Sequence, residues 1–151
     1  MEPFEGLNWA LLKKVRVIAY ENVSFSPDEN PIDFSDIFVE SGEDFEEIPF
    51  IFESAGFRET EEFTVSGQKW SKEVVLRIPK LRSAVSAFLD KYSGRKLVLL
   101  VTDMNSESHL VYPVRMTRQR NIPGQAAALN ATEITFSGEW NSESPLVANV
   151  T

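Results

Sequence analysis

Residues 70–103 read WSKEVVLRIPKLRSAVSAFLDKYSGRKLVLLVTD, and this stretch decides the fold. Its first part alternates apolar with mostly polar side chains, which is the period of a half-buried strand. The apolar positions of that alternation are Val74, Leu76 and Ile78. Pro79 follows them, and because proline cannot donate a hydrogen bond to a strand ladder, it predicts the end of the strand.

The middle of the stretch predicts one amphipathic helix over about residues 80–92. Its apolar side chains recur at the spacing of a single helical face, and they are Leu81, Val85, Phe88, Leu89 and Tyr92. Ser83 is an alternative N-cap that would start the helix a few residues later. Gly94 suits a left-handed C-cap. We therefore expect this helix to pack its apolar stripe on a sheet.

The last part of the stretch, residues 97–101, is the apolar run LVLLV. It is too short to cross a membrane and is typical of a strand that is buried on both faces. Alternation predicts further strands at 15–20, 57–65, 108–117 and 131–140. The sequence thus predicts an α+β protein that is mainly β, with antiparallel sheets in a sandwich or barrel-like arrangement and one helix packed on them.

Two of these strands carry more detailed expectations. In 57–65 neither face is cleanly apolar, which favours an edge strand or an exposed hairpin arm. In 108–117 one face is expected to carry four alternating apolar side chains. These four are Leu110, Tyr112, Val114 and Met116. Pro113 lies among them and indicates either an edge position or a bulge.

The length of 151 residues favours a single domain, 1–151. Charge is divided unevenly along it. Residues 21–62 hold 14 acidic side chains and one basic one, a net charge of -13, whereas residues 63–151 have a net charge of +4. We expect the acidic part to be an excursion from the sheet with buried aromatic anchors. The small, polar tail at 141–151 either hangs free or docks on a neighbouring copy.

The acidic excursion has two interpretations. It is either a solvated loop region or a working surface that meets a basic surface on a neighbouring copy, or that faces a polyanion and repels it. The candidate interaction residues for the second interpretation are Glu43, Glu46 and Glu47 on the acidic side and Arg115, Arg118 and Arg120 on the basic side.

The sequence offers little chemistry for catalysis. It has no cysteine, and its single histidine, His109, has no second histidine to share a metal. Residues 103–107 resemble the start of a calcium loop, but Ser108 and Val114 stand where that loop needs glycine and glutamate. Phosphate-binding glycine loops and serine elbows are absent. We therefore expect no catalytic, cofactor or metal site, and no enzyme.

The expected partners follow from the same composition. A net charge of -8 with one small arginine cluster argues against specific nucleic-acid binding. No run is long enough for a membrane span, and no small-molecule substrate is evident. The N-terminus carries acids where a signal peptide carries bases, so a cytoplasmic or virion location is expected, or an extracytoplasmic one if a leader was removed.

Residues 70–140 combine a strand with Trp, Ile-Pro, an amphipathic helix, the run KLVLLVTD before a turn, and a last strand of type TEITFSG. This arrangement resembles that of prophage-encoded structural proteins of Bacteroides-type bacteria and, more loosely, phage tail tube and tail completion proteins. The resemblance implies packed β-sheets with a flanking helix and a subunit that assembles into rings.

These observations predict a non-enzymatic structural or assembly protein, in its most specific form a phage-tail-like subunit that associates with itself or with other such subunits. Two alternatives remain open. One is a secreted or surface β-domain that binds a protein or glycan. The other is a small-ligand carrier with a pocket between sheet and helix.

Overall fold

The computed structural model describes residues 12–26, 30–50, 55–79, 83–121 and 131–150. These ranges form eleven strands, one α-helix and two short 3-10 turns, at Tyr20–Asn22 and Phe34–Asp36. In chain order the strands are β1 (Leu12–Ala19), β2 (Val23–Ser24), β3 (Ile32–Asp33), β4 (Phe38–Val39), β5 (Glu46–Glu47), β6 (Gly56–Thr64), β7 (Gly67–Pro79), β8 (Leu97–Asp103), β9 (Ser108–Asn121), β10 (Ala131–Trp140) and β11 (Leu146–Ala148). The helix α1 (Ser83–Tyr92) connects β7 to β8.

Nine of these strands form one sheet, whose main path runs β5-β1-β8-β9-β10-β7-β6. Every neighbouring pair on this path is antiparallel. The halves on either side of β9 face each other, because one apolar cluster contains buried residues of β1 and β8 together with residues of β7 and β10. The prediction of a mainly β, antiparallel fold with one helix is confirmed, and the sheet is not a closed barrel.

The alternation that predicted β7 is present in its burial pattern. Val74, Leu76 and Ile78 are buried, whereas Arg77 is exposed. All five residues of the predicted doubly buried strand, 97–101, are fully buried in β8. The strand is covered on both sides because its alternate side chains enter two different apolar clusters.

Helix α1 packs on the first of these clusters through Leu89, Tyr92 and the half-buried Phe88. The described part of the helix runs from Ser83; residues 80–82, on which the choice between the two predicted starts depends, lie outside the described part of the chain. The side chains of Leu81 and Val85 also lie outside it. Gly94 ends the helix with a positive φ of 76°, as the C-cap prediction requires. No helix in the described ranges is long and apolar enough to span a membrane.

The acidic excursion covers the second apolar cluster, on the opposite face of β8. Ile37 is buried in this cluster, and the partly buried Phe34, Val39 and Phe45 pack against the cluster. Phe38 of the same segment is instead 68% exposed, so the expectation of buried aromatic anchors holds only in part. The tail takes part in the same layer. Strand β11 pairs with β9 and with β3, and its central residue Val147 is buried. Residues 146–148 therefore dock on their own chain and do not hang free.

The alternation of β9 changes phase at a bulge. In the register with β8, Leu97 lies opposite Val114 and Leu99 lies opposite Val111, so β9 contains one extra residue. Leu110 and Tyr112 therefore enter the second cluster, whereas Val114 and Met116 enter the first. The expectation that these four side chains share one face was wrong, because a one-residue bulge reverses the faces of the residues that follow it. Pro113 lies in the bulge of an interior strand and not at an edge.

At the bulge, β9 changes its pairing partner from β8 to β10. A Cβ placed on Gly138 of β10 would lie 1.9 Å from the carbonyl oxygen of Pro113, so the two backbones meet where only glycine fits. Lys72 lies opposite Gly138 in the β7–β10 register, and its Nζ donates a hydrogen bond to the carbonyl of Tyr112 at 3.3 Å.

Replacing Gly138 with alanine should therefore destabilise the protein, because the new Cβ cannot avoid the Pro113 carbonyl without a shift of the backbone. We expect Gly138→Ala to lower the free energy of unfolding by about 1–3 kcal/mol or more. Gly56→Ala is the matched control, since a Cβ at Gly56 meets nothing within 4 Å. Urea melts of the two variants measure the difference, and equal stability would contradict the close approach.

Candidate functional site

The predicted acidic interaction residues fall into two groups. Glu43 and Glu47 are exposed. Glu46 accepts hydrogen bonds from Lys91 Nζ at 2.5 Å and from the Tyr92 hydroxyl at 2.6 Å. Partial burial acts to raise the pKa of Glu46, but these hydrogen bonds outweigh it and hold that pKa below its ordinary value. Glu46 thus fastens β5 to α1, and the other two acids remain on the surface.

The predicted basic residues also contact α1 and the residues that follow it. Arg118 forms an ion pair with Asp90, and Arg115 donates a hydrogen bond to the carbonyl of Gly94 at 3.1 Å. Arg120 lies in β9, but its side chain is outside the described part of the chain. The two described arginines therefore have contacts within the fold that the sequence does not reveal.

A second basic region lies elsewhere, beside β1. A groove of about 410 Å³ is lined by three cationic side chains, Lys13, Lys14 and Arg16, and none of its described lining residues is a carboxylate. Its remaining polar lining comes from the β8–β9 hairpin and the tail: Thr102, Ser106, Ser108 and Asn149. The sequence analysis missed this basic groove, because its lysines lie near the start of the chain and its other walls come from beyond residue 100.

A polar cavity of about 310 Å³ lies near the start of β1, β6 and β9, beside the first apolar cluster. Its lining residues are Leu12, Phe57, Glu59, Asp103, His109, Glu143 and Ser144. One wall is fixed by Glu59, whose carboxylate accepts hydrogen bonds from the Ser144 hydroxyl at 2.6 Å and from the Ser144 amide. The cavity is lined by three carboxylates and one imidazole. Its lining residues come from distant parts of the chain, and the first and last of them are 132 positions apart in the sequence.

The sequence suggested that His109 has no partner for binding a metal. The structure instead places it beside carboxylates and an aromatic ring. Its ring lies 6.0 Å from the ring of Phe57, measured between centroids. One ligand-type atom each of Asp103, Glu107 and His109 lies within 4.8 Å of the other two. Two carboxylates and an imidazole at this spacing have the chemical character of a metal-binding set.

Lys72 is a buried charged residue that does not line this cavity but neighbours Glu59 of its wall. It is only 1% exposed and points inward with Val74 and Leu76. Glu59 lies directly opposite it on β6. Burial lowers the pKa of Lys72 to about 8, although the negative charges of Glu59 and Glu143 act in the opposite direction.

In our comparisons the chain matches no protein-family model, no curated protein and no solved structure. The functional argument therefore rests on the surfaces and cavities described above.

The pKa of Lys72 makes the stability depend on pH. Between about pH 8 and 10.5 the unfolded chain retains the lysine proton that the folded protein has released, so the free energy of unfolding rises with pH in this window. Lys72→Met removes that contribution. From pH 8 to 10.5 we expect the free energy of unfolding of the wild type to rise by up to about 3 kcal/mol more than that of the variant.

Chemical melts at a series of pH values measure this difference. Lys13→Met is the control, because it removes one positive charge at an exposed position. Parallel pH profiles for the wild type and Lys72→Met would show that the Lys72 ammonium stays hydrated in the folded protein.

Proposed function

We propose that this protein is a non-enzymatic structural subunit that self-associates through an exposed hairpin arm. The observation that carries the proposal is the arm formed by β6 and β7. Its tip exposes two apolar side chains, Phe63 at 82% and Val65 at 109% of their full accessible surface. Apolar residues placed together at a projecting tip are typical of a contact surface.

The arm projects because β7 and β6 continue beyond the end of β10, the strand on the other side of β7. The β7–β10 ladder ends at the pair Trp70 and Trp140, whereas the β6–β7 ladder continues to Thr64 and Gly67. Three further residues of β7 extend this two-stranded part by about 10 Å. A side-chain hydrogen bond from Gln68 to Glu61 at 2.6 Å supports it. The prediction of an edge strand or hairpin arm at 57–65 is confirmed, since β6 is the last strand of the sheet path.

The charges of the arm and the basic groove are complementary. Glu61 and Glu62 are exposed on the arm, where Lys69 lies opposite Glu62, whereas Lys13 and Lys14 line a groove with no carboxylate among its described lining residues. Opposite charges on two surfaces of one chain favour a contact between copies, and such a heterologous contact closes into a ring or grows into a filament. A second copy of this chain is therefore the proposed occupant of the groove. The exposed Glu47 does not belong to the arm, since it lies opposite Arg16 in the β1–β5 register.

The specific form of the proposal is a phage-tail-like subunit, with itself or other virion subunits as partners. This form is supported by the resemblance of residues 70–140 to prophage structural proteins and by the folded β-sheet with its single flanking helix. A ring of such subunits requires repeated contacts between copies, which a projecting arm and a separate receiving groove supply.

The arm variant Phe63→Ser/Val65→Ser should associate less than the wild type, because it removes the exposed apolar tip. Analytical ultracentrifugation over a protein concentration series measures the change, and we expect at least a tenfold rise in the dissociation constant. Phe38→Ser is the matched control, because Phe38 is also exposed, at 68%, but lies in the acidic excursion. A wild type that stays monomeric at every concentration would overturn self-association.

The groove is tested separately with Lys13→Gln/Lys14→Gln. If opposite charges hold the copies together, this variant should associate more weakly at 0.1 M salt, and the difference should shrink at 1 M, where the screening length falls to about 3 Å. Arg77→Gln removes an exposed base outside the groove and serves as the control. Association of the groove variant equal to that of wild type at low salt would contradict the groove as the acceptor.

A further inference from the structure

We infer that Asp103, Glu107 and His109 bind one divalent transition-metal ion at the mouth of the polar cavity. Their ligand-type atoms lie within 4.8 Å of one another, and they combine the carboxylate and imidazole groups that zinc and neighbouring transition metals accept. This inference is independent of the proposed self-association, and it opposes the sequence expectation that His109 has no metal to bind.

The β8–β9 hairpin brings the three side chains together. Asp103 ends β8, and its Oδ1 accepts hydrogen bonds from the backbone amides of Asn105 at 2.8 Å and Glu107 at 3.0 Å. The Asp103 amide in turn donates to the carbonyl of Glu107 at 2.9 Å, and Ser106 takes a left-handed φ of 64°. This closed turn fixes the direction of the Asp103 carboxylate before any ion arrives, as groups around a metal ligand do in metalloproteins.

His109 is fixed from the other side. It lies in β9 opposite Val101 of β8, and its ring contacts the ring of Phe57 from the distant strand β6. The imidazole is therefore held in the wall of a cavity and does not extend freely into solvent. Glu107 is exposed, so its side chain has room to move toward an ion held by Asp103 and His109.

The cavity supplies an observation that is independent of the turn. The same 310 Å³ space that Asp103 and His109 line also carries Glu59 and Glu143 on its far wall. A cation bound by three protein groups keeps open coordination positions. Because two of the three ligands line this space, a bound cation would lie at its edge, near the further carboxylates. The negative lining raises the local concentration of cations at the three ligands.

The ligand chemistry selects among metals. Calcium takes six to eight oxygen ligands, and the residues at the sixth and twelfth places of a calcium loop are Ser108 and Val114 here. An imidazole with two carboxylates suits zinc, cobalt or nickel better, because these ions accept nitrogen and lower coordination numbers. We therefore expect Zn²⁺ to bind and Ca²⁺ to bind much more weakly.

Chelator-stripped full-length protein titrated with ZnCl₂ by calorimetry tests the site. We expect one equivalent of Zn²⁺ per chain and a rise in melting temperature, and one equivalent of Co²⁺ should give a visible absorption band. His109→Gln and Asp103→Asn should each weaken Zn²⁺ binding at least tenfold. Asp103→Asn keeps an oxygen that accepts the turn hydrogen bonds, so the hairpin is retained while the charge is lost.

Glu40→Gln is the matched control, because it removes an exposed carboxylate far from the cavity lining and should leave binding unchanged. Circular dichroism of each metal-free variant checks the fold, and Glu107→Gln replaces Asp103→Asn if the latter unfolds. The inference is overturned by a wild type that binds no Zn²⁺. It is equally overturned by variants that bind Zn²⁺ as tightly as wild type, or by Ca²⁺ binding that His109→Gln does not change.

Discussion

The bulge at Tyr112 and Pro113 is the constraint on which the two-layered sheet depends. Strand β9 must pair with β8 at one end and β10 at the other, and the extra residue lets it turn from one half of the sheet to the other. The extra residue interrupts the regular ladder at this point. The buried Lys72 donates a hydrogen bond to the Tyr112 carbonyl there, and Gly138 leaves room for the Pro113 carbonyl.

The acidic excursion has an apolar underside because β8 and β9 present a second apolar face that needs cover. Val98 and Leu100 of β8 lie on this face with Leu110 and Tyr112 of β9, whereas beyond the bulge Val114 and Met116 enter the first cluster. The excursion and β11 provide that cover, with Ile37 and Val147 buried among the side chains of this face. The high negative charge of residues 21–62 therefore coexists with a packed layer, since the acids project outward while the apolar side chains anchor the chain.

Part of that negative charge serves the fold. Glu46 joins β5 to α1, Glu21 pairs with Arg95, and the Glu59 carboxylate receives two hydrogen bonds from Ser144. The acids that remain exposed, including those of the arm, are the ones available to a partner. The candidate sites divide in the same way: the arm is a local hairpin, whereas the polar cavity and the basic groove are assembled from segments that are far apart in the sequence.

The sequence by itself determined the features that depend on neighbouring residues: the alternation of β7 and β10, the doubly buried β8, the helix that ends at Gly94, and the edge character of 57–65. Each reflects a local period of apolar side chains or a backbone preference. Only the tertiary structure decided the strand order, the change of face in β9, and the meeting of His109 with Phe57, Glu59 and Glu143. These depend on the three-dimensional packing of residues distant in sequence, which a local pattern does not encode.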